Sequence, residues 1–301
     1  MPLSVDSDPL SPPIRDTVDA VPDDDAEPPA IVSISDIHGY LEETRDALLT
    51  LRDHPDFEPV VTADSDGTLH WADENYVLVF NGDLVDRGPD NDGVLQLVGR
   101  LIDEAPPGRV RVTLGNHEWM ILMPKKYRGI GWYSTERSTD ERRTYLQRIA
   151  DGHVIAAYDG YNVTYAHAGS PDPYVVNTVN DSLVDAAAEL EQAIGTIEDG
   201  TTQTRVRQEY PQVLGTGTPA KGPDAGLVWI DFSHLPSDGP PQVVGHTRHS
   251  NPQTKGNIYC QDILQDNLQS DGGHGVFVET PESLSAVLRE PDQSVTAESL
   301  A

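Results

Sequence analysis

The 301-residue sequence has little of several things, and each shortage narrows what the protein can be. It has one cysteine, Cys260, which excludes an intramolecular disulfide and a cysteine metal cluster. No stretch approaches the roughly 18 apolar residues of a membrane span. The N-terminus lacks the basic and apolar regions of a signal peptide. A soluble, cytoplasmic protein with no membrane partner is expected, and the sequons at Asn162 and Asn180 then carry no meaning. Basic residues are also scarce. Twenty Lys and Arg stand against 50 Asp and Glu, a net charge of −30, and only Lys125, Lys126, Lys221 and Lys255 are lysines. A negative field of this size repels nucleic-acid backbones and anionic membranes. It suits either a cationic partner or a surface adapted to high salt, where screening removes the self-repulsion. Acidity spread along the whole chain favours the second reading and points to a halophilic microbe.

Apolar residues make up only 37% of the chain, but they cluster in runs such as 31–34 and 76–80, so a sizeable core is feasible. Residues 1–29, with the Asp23-Asp24-Asp25 run and many prolines, read as a disordered tail, and 290–301 as a flexible C-terminal tail. One catalytic domain over 30–289 is the simplest organisation. Its pattern alternates strand and helix: strands at 31–35, 76–80, 109–114, 154–158, 162–166, 227–230 and 242–244, with helices after Gly39 and at 94–102 and 183–194. Ser138-Thr139-Asp140-Glu141 has the form of a capping box for a further helix. Residues 56–75 form a polar loop or hairpin insertion, and 196–226 is a second insertion.

Five short strings stand at the ends of these strands. They are Asp36-Ile37-His38-Gly39, Gly82-Asp83-Leu84-Val85-Asp86-Arg87-Gly88, Gly115-Asn116-His117-Glu118, His167-Ala168-Gly169 and Gly245-His246-Thr247. Polar residues planted repeatedly at strand ends are what an α/β active site requires. Asp36 and His38 are one residue apart, so on extended chain both can turn toward one ion. Asp83, on a rigid strand end, can bridge two ions. Asn116 offers an amide oxygen, and His167 and His246 offer imidazoles. This mixed N/O set suits Mn, Fe or Zn better than Ca or Mg. Two such ions held about 3.5–4 Å apart lower the pKa of a shared water toward ~7.

The strings resemble those of the calcineurin-like metallophosphoesterases and, within them, the phosphoprotein phosphatase (serine/threonine phosphatase-like) branch. The specific marks are Gly82-Asp83-x-x-Asp86-Arg87-Gly88 and Gly115-Asn116-His117-Glu118, and the similarity runs over about 31–265. The resemblance implies an α/β fold, a four-layer αββα sandwich of two mixed sheets flanked by helices. It implies two divalent metal ions, Mn2+ foremost with Fe or Zn as alternatives. One would be held by Asp36, His38 and Asp83, the other by Asp83, Asn116, His167 and His246. It makes His117 the general acid, Asp86 its orienting partner and Arg87 the phosphate clamp, with a metal-bridging hydroxide attacking phosphorus directly. Asp86 and Arg87 could instead pair with each other as a structural ion pair.

The implied activity is hydrolysis of a phosphoric monoester on a phosphorylated protein or small molecule. A dinucleoside polyphosphate hydrolase of the diadenosine tetraphosphatase type is the alternative, and a non-catalytic phosphate-binding regulator a third reading. The branch uses a second phosphate-binding arginine, for which Arg205 or Arg207 is the candidate. His249, three residues after His246, reads as a substrate-side or surface histidine rather than a ligand. Lys125, Lys126 and Arg128 form a basic cluster that could attract a phosphorylated substrate or simply be solvated. Gly215-Thr216-Gly217-Thr218 lacks the Lys-Ser/Thr ending of a P-loop and reads as a flexible loop.

Overall fold

Side chains alternate between two environments along the inner strands, and this alternation sets the layering. In β1 (Ala30–Ile34) and β4 (Tyr76–Phe80), Ile31, Val77 and Val79 pack in one core with Tyr158, Tyr165 and Val243. Val32, Ile34, Leu78 and Phe80 turn the other way, into a larger core with helix residues such as Leu48, Val94, Val98 and Leu101. The inner strands are therefore apolar on both faces, as strands covered on both sides must be. The computed structural model describes residues 2–21, 28–72, 75–217, 221–222, 224–270 and 272–301.

Two mixed sheets result, flanked by helices. The first has seven strands in the order β14 (Val295–Ser299), β13 (Ser283–Arg289), β12 (Gly275–Thr280), β1, β4, β5 (Val110–Thr113) and β6 (Val154–Ile155). From β1 to β6 the pairing is parallel, and β12 joins β1 antiparallel. The second has five strands in the order β10 (Gln253–Lys255), β11 (Ile258–Cys260), β9 (Gln242–Val244), β8 (Thr164–Tyr165) and β7 (Tyr158–Asp159), with β8, β9 and β11 parallel. The insertion at 56–75 carries a hairpin, β2 (Val61–Ala63) with β3 (Leu69–Trp71). Among the described residues no helix is long and apolar enough to cross a membrane.

Several expectations need correction. The run 154–158 is two strands, because it leaves the first sheet at Ile155 and enters the second at Tyr158. Buried Asn180 makes the break possible: its side-chain oxygen accepts from the amides of Ala156 (2.8 Å) and Ala157 (3.1 Å), replacing ladder bonds. Residues 227–230 are a turn rather than a strand, with the Trp229 amide donating to the Gly226 carbonyl. That run is apolar because Leu227, Val228 and Trp229 are core residues, and burial alone does not select a strand. The C-terminal tail is ordered, since β14 pairs antiparallel with β13.

The N-terminal segment is likewise no loose tail over its described part, although the Asp23-Asp24-Asp25 run lies outside the described residues. Leu3 is fully buried in the main core. The helix Pro12–Asp16 docks on the helix Val176–Ala193: Arg15 bonds Asp16 (2.5 Å) and Asp181 (2.9 Å), and Asn180 donates to Asp16 (2.8 Å). Apolar residues thinly spread among prolines and acids concealed this docking from composition.

Leu3→Ala should therefore destabilise the protein by about 2–5 kcal/mol in chemical denaturation, whereas a loose segment would give no change. Burial acts to raise the Asp16 pKa, but hydrogen bonds from Arg15, Asn180 and Asn177 outweigh it and hold the group below its ordinary 3.8. Its stabilising contribution is then complete above that value and lost as pH falls through the lower folded value. The stability gap between wild type and Asp16→Asn should close on acidification below pH 3.8.

Candidate active site

All five strings converge at one end of the two sheets. β1 delivers Asp36 and His38, β4 delivers Asp83, and β5 runs into Asn116 and His117 at the start of the helix Asn116–Leu122. The second sheet contributes His167 after β8 and His246 after β9. The chain makes unusual turns to bring them together. Asp36, His38, Asp83, Asp86, Arg87 and His246 all have positive φ, between 43° and 74°. Such backbone costs non-glycine residues about 1–3 kcal/mol each and concentrates where function demands it. At Gly115 a Cβ would overlap the Asp83 amide, so only glycine lets the two loops approach.

Asp83 lies at the centre. Its Oδ2 is 3.5 Å from His38 Nε2, which is 3.8 Å from Asp36 Oδ1. Its Oδ1 is 3.5 Å from His167 Nε2. His167 Nε2 and His246 Nδ1 in turn lie 3.2 Å and 2.7 Å from Asn116 Oδ1 and 3.2 Å from each other. Each oxygen of one carboxylate thus faces a separate group of ligand atoms. Tautomers are set from behind: His38 Nδ1 donates to the Val85 carbonyl (2.9 Å) and His167 Nδ1 to the Asn81 carbonyl (3.0 Å), leaving each Nε2 lone pair toward the centre.

Charge states agree with this arrangement. Burial works to raise the Asp83 pKa, but the imidazoles of His167, His117 and His38 hold it far below the usual carboxylate range. Burial holds His38 and His246 well below the ordinary imidazole value, which keeps them in the neutral, lone-pair-donating form. Asp36 Oδ1 and His38 Nε2 are buried without a hydrogen-bond partner. Buried polar atoms left unpaired and pointing at common centres fit divalent cations, which satisfy such groups.

His117 stands beside this cluster. Its Nδ1 is 2.5 Å from Asp86 Oδ2, and its Nε2 is 3.8 Å from Asp83 Oδ2 and 3.4 Å from Arg87 Nη2. Burial opposes the charged imidazole, yet Asp83 and Asp86 together raise its pKa. The alternative of a structural Asp86–Arg87 pair is not what the side chains do. Asp86 accepts from His117 and from the Ser134 amide (2.9 Å) and hydroxyl (2.5 Å), whereas Arg87 donates to Gln265 (2.7 Å).

Other residues of the centre carried no signal in the sequence. Trp132 stacks on the His117 ring at 5.0 Å, and Ser134, at the start of a 3-10 turn, anchors Asp86, yet both lie between the strings. Gln265 accepts from Arg248 (3.3 Å) as well as from Arg87, joining two guanidinium groups through one amide. Lys221 Nζ lies 3.1 Å from His246 Nε2. Asp262 is buried behind Asp36, and burial together with the Asp36 charge pushes its carboxyl well above the usual range. Glu118 was visible as the last letter of its string but had no assigned role. It accepts from the amides of Asp83 (2.8 Å), Leu84 (2.9 Å) and Gly115 (3.1 Å) and so ties two strings together.

The candidates for a second arginine lie elsewhere. Arg205 pairs with Glu189 (2.6 Å) and Glu209 (2.5 Å), and Arg207 lines a different cavity. His249 packs edge-on against Phe232, outside the ligand cluster.

The calcineurin-like phosphoesterase family profile matches residues 29–246, and the chain belongs to that family. The protein is therefore a phosphoesterase, a hydrolase of a class that works with divalent metal ions. It is similar to an asymmetrical bis(5'-nucleosyl)-tetraphosphatase, PrpE, of Oceanobacillus iheyensis, at 28% identity over 235 residues that cover 71% of this chain and 80% of the relative. Among solved structures it is similar to a cold-active protein-tyrosine phosphatase of a psychrophilic Shewanella species. That match has a TM-score of 0.55 and 18% identity and covers 97% of this chain and 85% of the other, a likeness of fold alone.

Replacing Glu118 by Ala should leave three buried amides unpaired and cost at least about 1–3 kcal/mol, read as a lower melting temperature. Because the loop carrying Asp83 then loses its anchor, bound divalent metal per chain should fall as well. Full metal content after the substitution would show that the loop holds its shape without Glu118.

Proposed function

We propose that the protein is a dinuclear metal-dependent phosphomonoesterase, acting on a phosphorylated protein or a small phosphoester in the manner of the serine/threonine phosphatases. The observation that carries this reading is the His117–Asp86 dyad beside an Asp83 whose two oxygens face two ligand groups. Asp36, His38 and Asp83 would hold one cation, and Asp83, Asn116, His167 and His246 the other. Bound there, the cations would supply an activated water and neutralise phosphate charge.

The remaining work falls to the chain's own side chains. Arg87, exposed beside the centre, presents its planar fork to two phosphate oxygens. Arg248 and Lys221 stand at the same rim. His117 carries a proton at Nε2 toward the leaving oxygen, while Asp86 fixes the ring through Nδ1 and stabilises its charged form. Trp132, stacked on His117, shields one face of that ring from water. A leaving alkoxide needs such a donor, whereas a protein that only binds phosphate does not. This supports an enzyme over a phosphate-binding regulator.

A second reading is hydrolysis of a dinucleoside polyphosphate. Its specific support is the similarity to PrpE, which is named for that reaction. Turnover of p-nitrophenyl phosphate, a phosphoserine peptide and diadenosine tetraphosphate, each with Mn2+ in high salt, separates the readings. Faster turnover of the monoesters is expected, and a clear preference for diadenosine tetraphosphate would replace the first reading with the second.

His117→Asn should lower kcat by about 10²–10⁴-fold with metal content unchanged. Near-normal turnover would remove His117 from the role of acid. Asp83→Asn should lose both ions in metal analysis, and retention of both would sink the bridging role.

A further inference from the structure

Away from the metal cluster, one cavity inverts the charge balance of the chain. It has a volume of about 260 Å³ and is lined by Trp119, Met123, Lys125, Lys126, Gln203, Thr204 and Arg207. Two of the four lysines in the sequence meet here, and no carboxylate among the described residues lines the cavity, although acids outnumber bases 50 to 20. None of the three cations has an acidic partner among the described residues. Lys125 Nζ donates to the Gly200 carbonyl (2.9 Å) and Lys126 Nζ to the Thr216 hydroxyl (3.3 Å). The contrast with Arg205, on the opposite face of the same helix (Asp199–Glu209), is direct, since that guanidinium is bound by two glutamates. Burial and then the nearby Arg207 charge lower the Lys126 pKa.

The cavity is separate from the metal centre. Trp229 stands between them, its ring 5.6 Å from Trp119, 6.0 Å from Tyr127 and 6.2 Å from His246. We propose that this cavity is a second phosphate-binding site, which takes the anionic group of a small organic phosphate between Lys126 and Arg207. A planar guanidinium with a point-charge ammonium beside it suits a tetrahedral dianion. Met123 and Trp119 offer an apolar lining for the organic part. The volume lies just below the ~300 Å³ at which small-molecule sites begin, which fits a ligand of mononucleotide size with part left in solvent. Arg128, three residues past Lys125 and exposed, does not line the cavity.

The probe is α,β-methylene-ADP, titrated calorimetrically into the full chain in Mn2+ buffer. Lys126→Gln and Arg207→Gln should each weaken one binding event roughly tenfold, the loss of one charge-assisted contact. That event should persist in Asp83→Asn, weaken as salt is raised, and leave p-nitrophenyl phosphate turnover within about twofold of wild type in both cation variants. Their melting temperatures serve as the folding control. Equal affinity in wild type and both variants would overturn the proposal, as would the absence of any binding event beyond the metal centre. A parallel fall of turnover and affinity would also overturn it, by making these cations part of the catalytic site. The binding readout does not depend on which phosphoester the metal centre hydrolyses.

Discussion

Ligand atoms drawn from two separate sheets can meet only if the sheets are held in register, and one buried amide does this. Asn81 follows β4 directly. Its Nδ2 donates to the carbonyls of Ala166 (3.3 Å) and Val243 (3.2 Å) in the second sheet, and its Oδ1 accepts from the Thr113 hydroxyl (2.8 Å) of the first. Its own carbonyl accepts from His167 Nδ1, so the residue that joins the sheets also sets the tautomer of a candidate ligand. A polar group in so apolar a setting is costly unless every bond is made, and here three of them cross between elements. The inter-sheet core of Val77, Val79, Tyr165 and Val243 supplies the non-directional attraction. Asn81 supplies the direction.

Beyond that join, the loops are rigid because their strain is overdetermined. Positive φ at Asp83, Asp86 and Arg87 would relax in a free loop. Glu118 holds the Asp83 end by the amides of Asp83 and Leu84, and Ser134 holds the Asp86 end by two bonds. The loop is thus clamped at both ends, and its carboxylates are aimed before anything binds. Preorganisation of this kind removes the need to reorient charged groups during reaction. It also accounts for a carboxylate as buried as Asp83 remaining ionised: three imidazoles and the His117 amide surround it.

The sequence carried the parts of the site that depend on local order and hid those that depend on packing. Asp36, His38, Asp83, Asn116, His117, His167 and His246 each follow a short strand by two to four residues, so motif and strand end reinforce each other. Tyr76–Phe80 and Gln242–Val244 fall where the apolar runs place them. Gln265, Arg248, Ser134 and Trp132 reach the centre from loops and single 3-10 turns, where no periodicity marks them. Ser283–Arg289 and Val295–Ser299 escape a sequence reading because serines, threonines and an acid interrupt their apolar alternation. The run 227–230 erred in the opposite direction. Its apolar residues are buried, but Gly226 turns the chain before a ladder can form.

The charge distribution follows from the same geometry. With a net charge of −30, the protein repels an approaching phosphate at long range, and the repulsion fades within a Debye length of about 10 Å at 0.1 M salt and less above it. At contact the balance is different, because Arg87, Arg248 and Lys221 rim the metal cluster and their short-range bonds are little affected by screening. Salt therefore lowers the barrier to approach while sparing the contacts that hold the anion. In such a chain a cation left without an acidic partner is informative, since acids are plentiful enough to neutralise almost any basic group placed near them. Arg15, Arg142 and Arg205 each have carboxylates, whereas Arg87 and Arg207 pair with none among the described residues; Arg87 stands exposed beside the metal cluster and Arg207 lines a cavity.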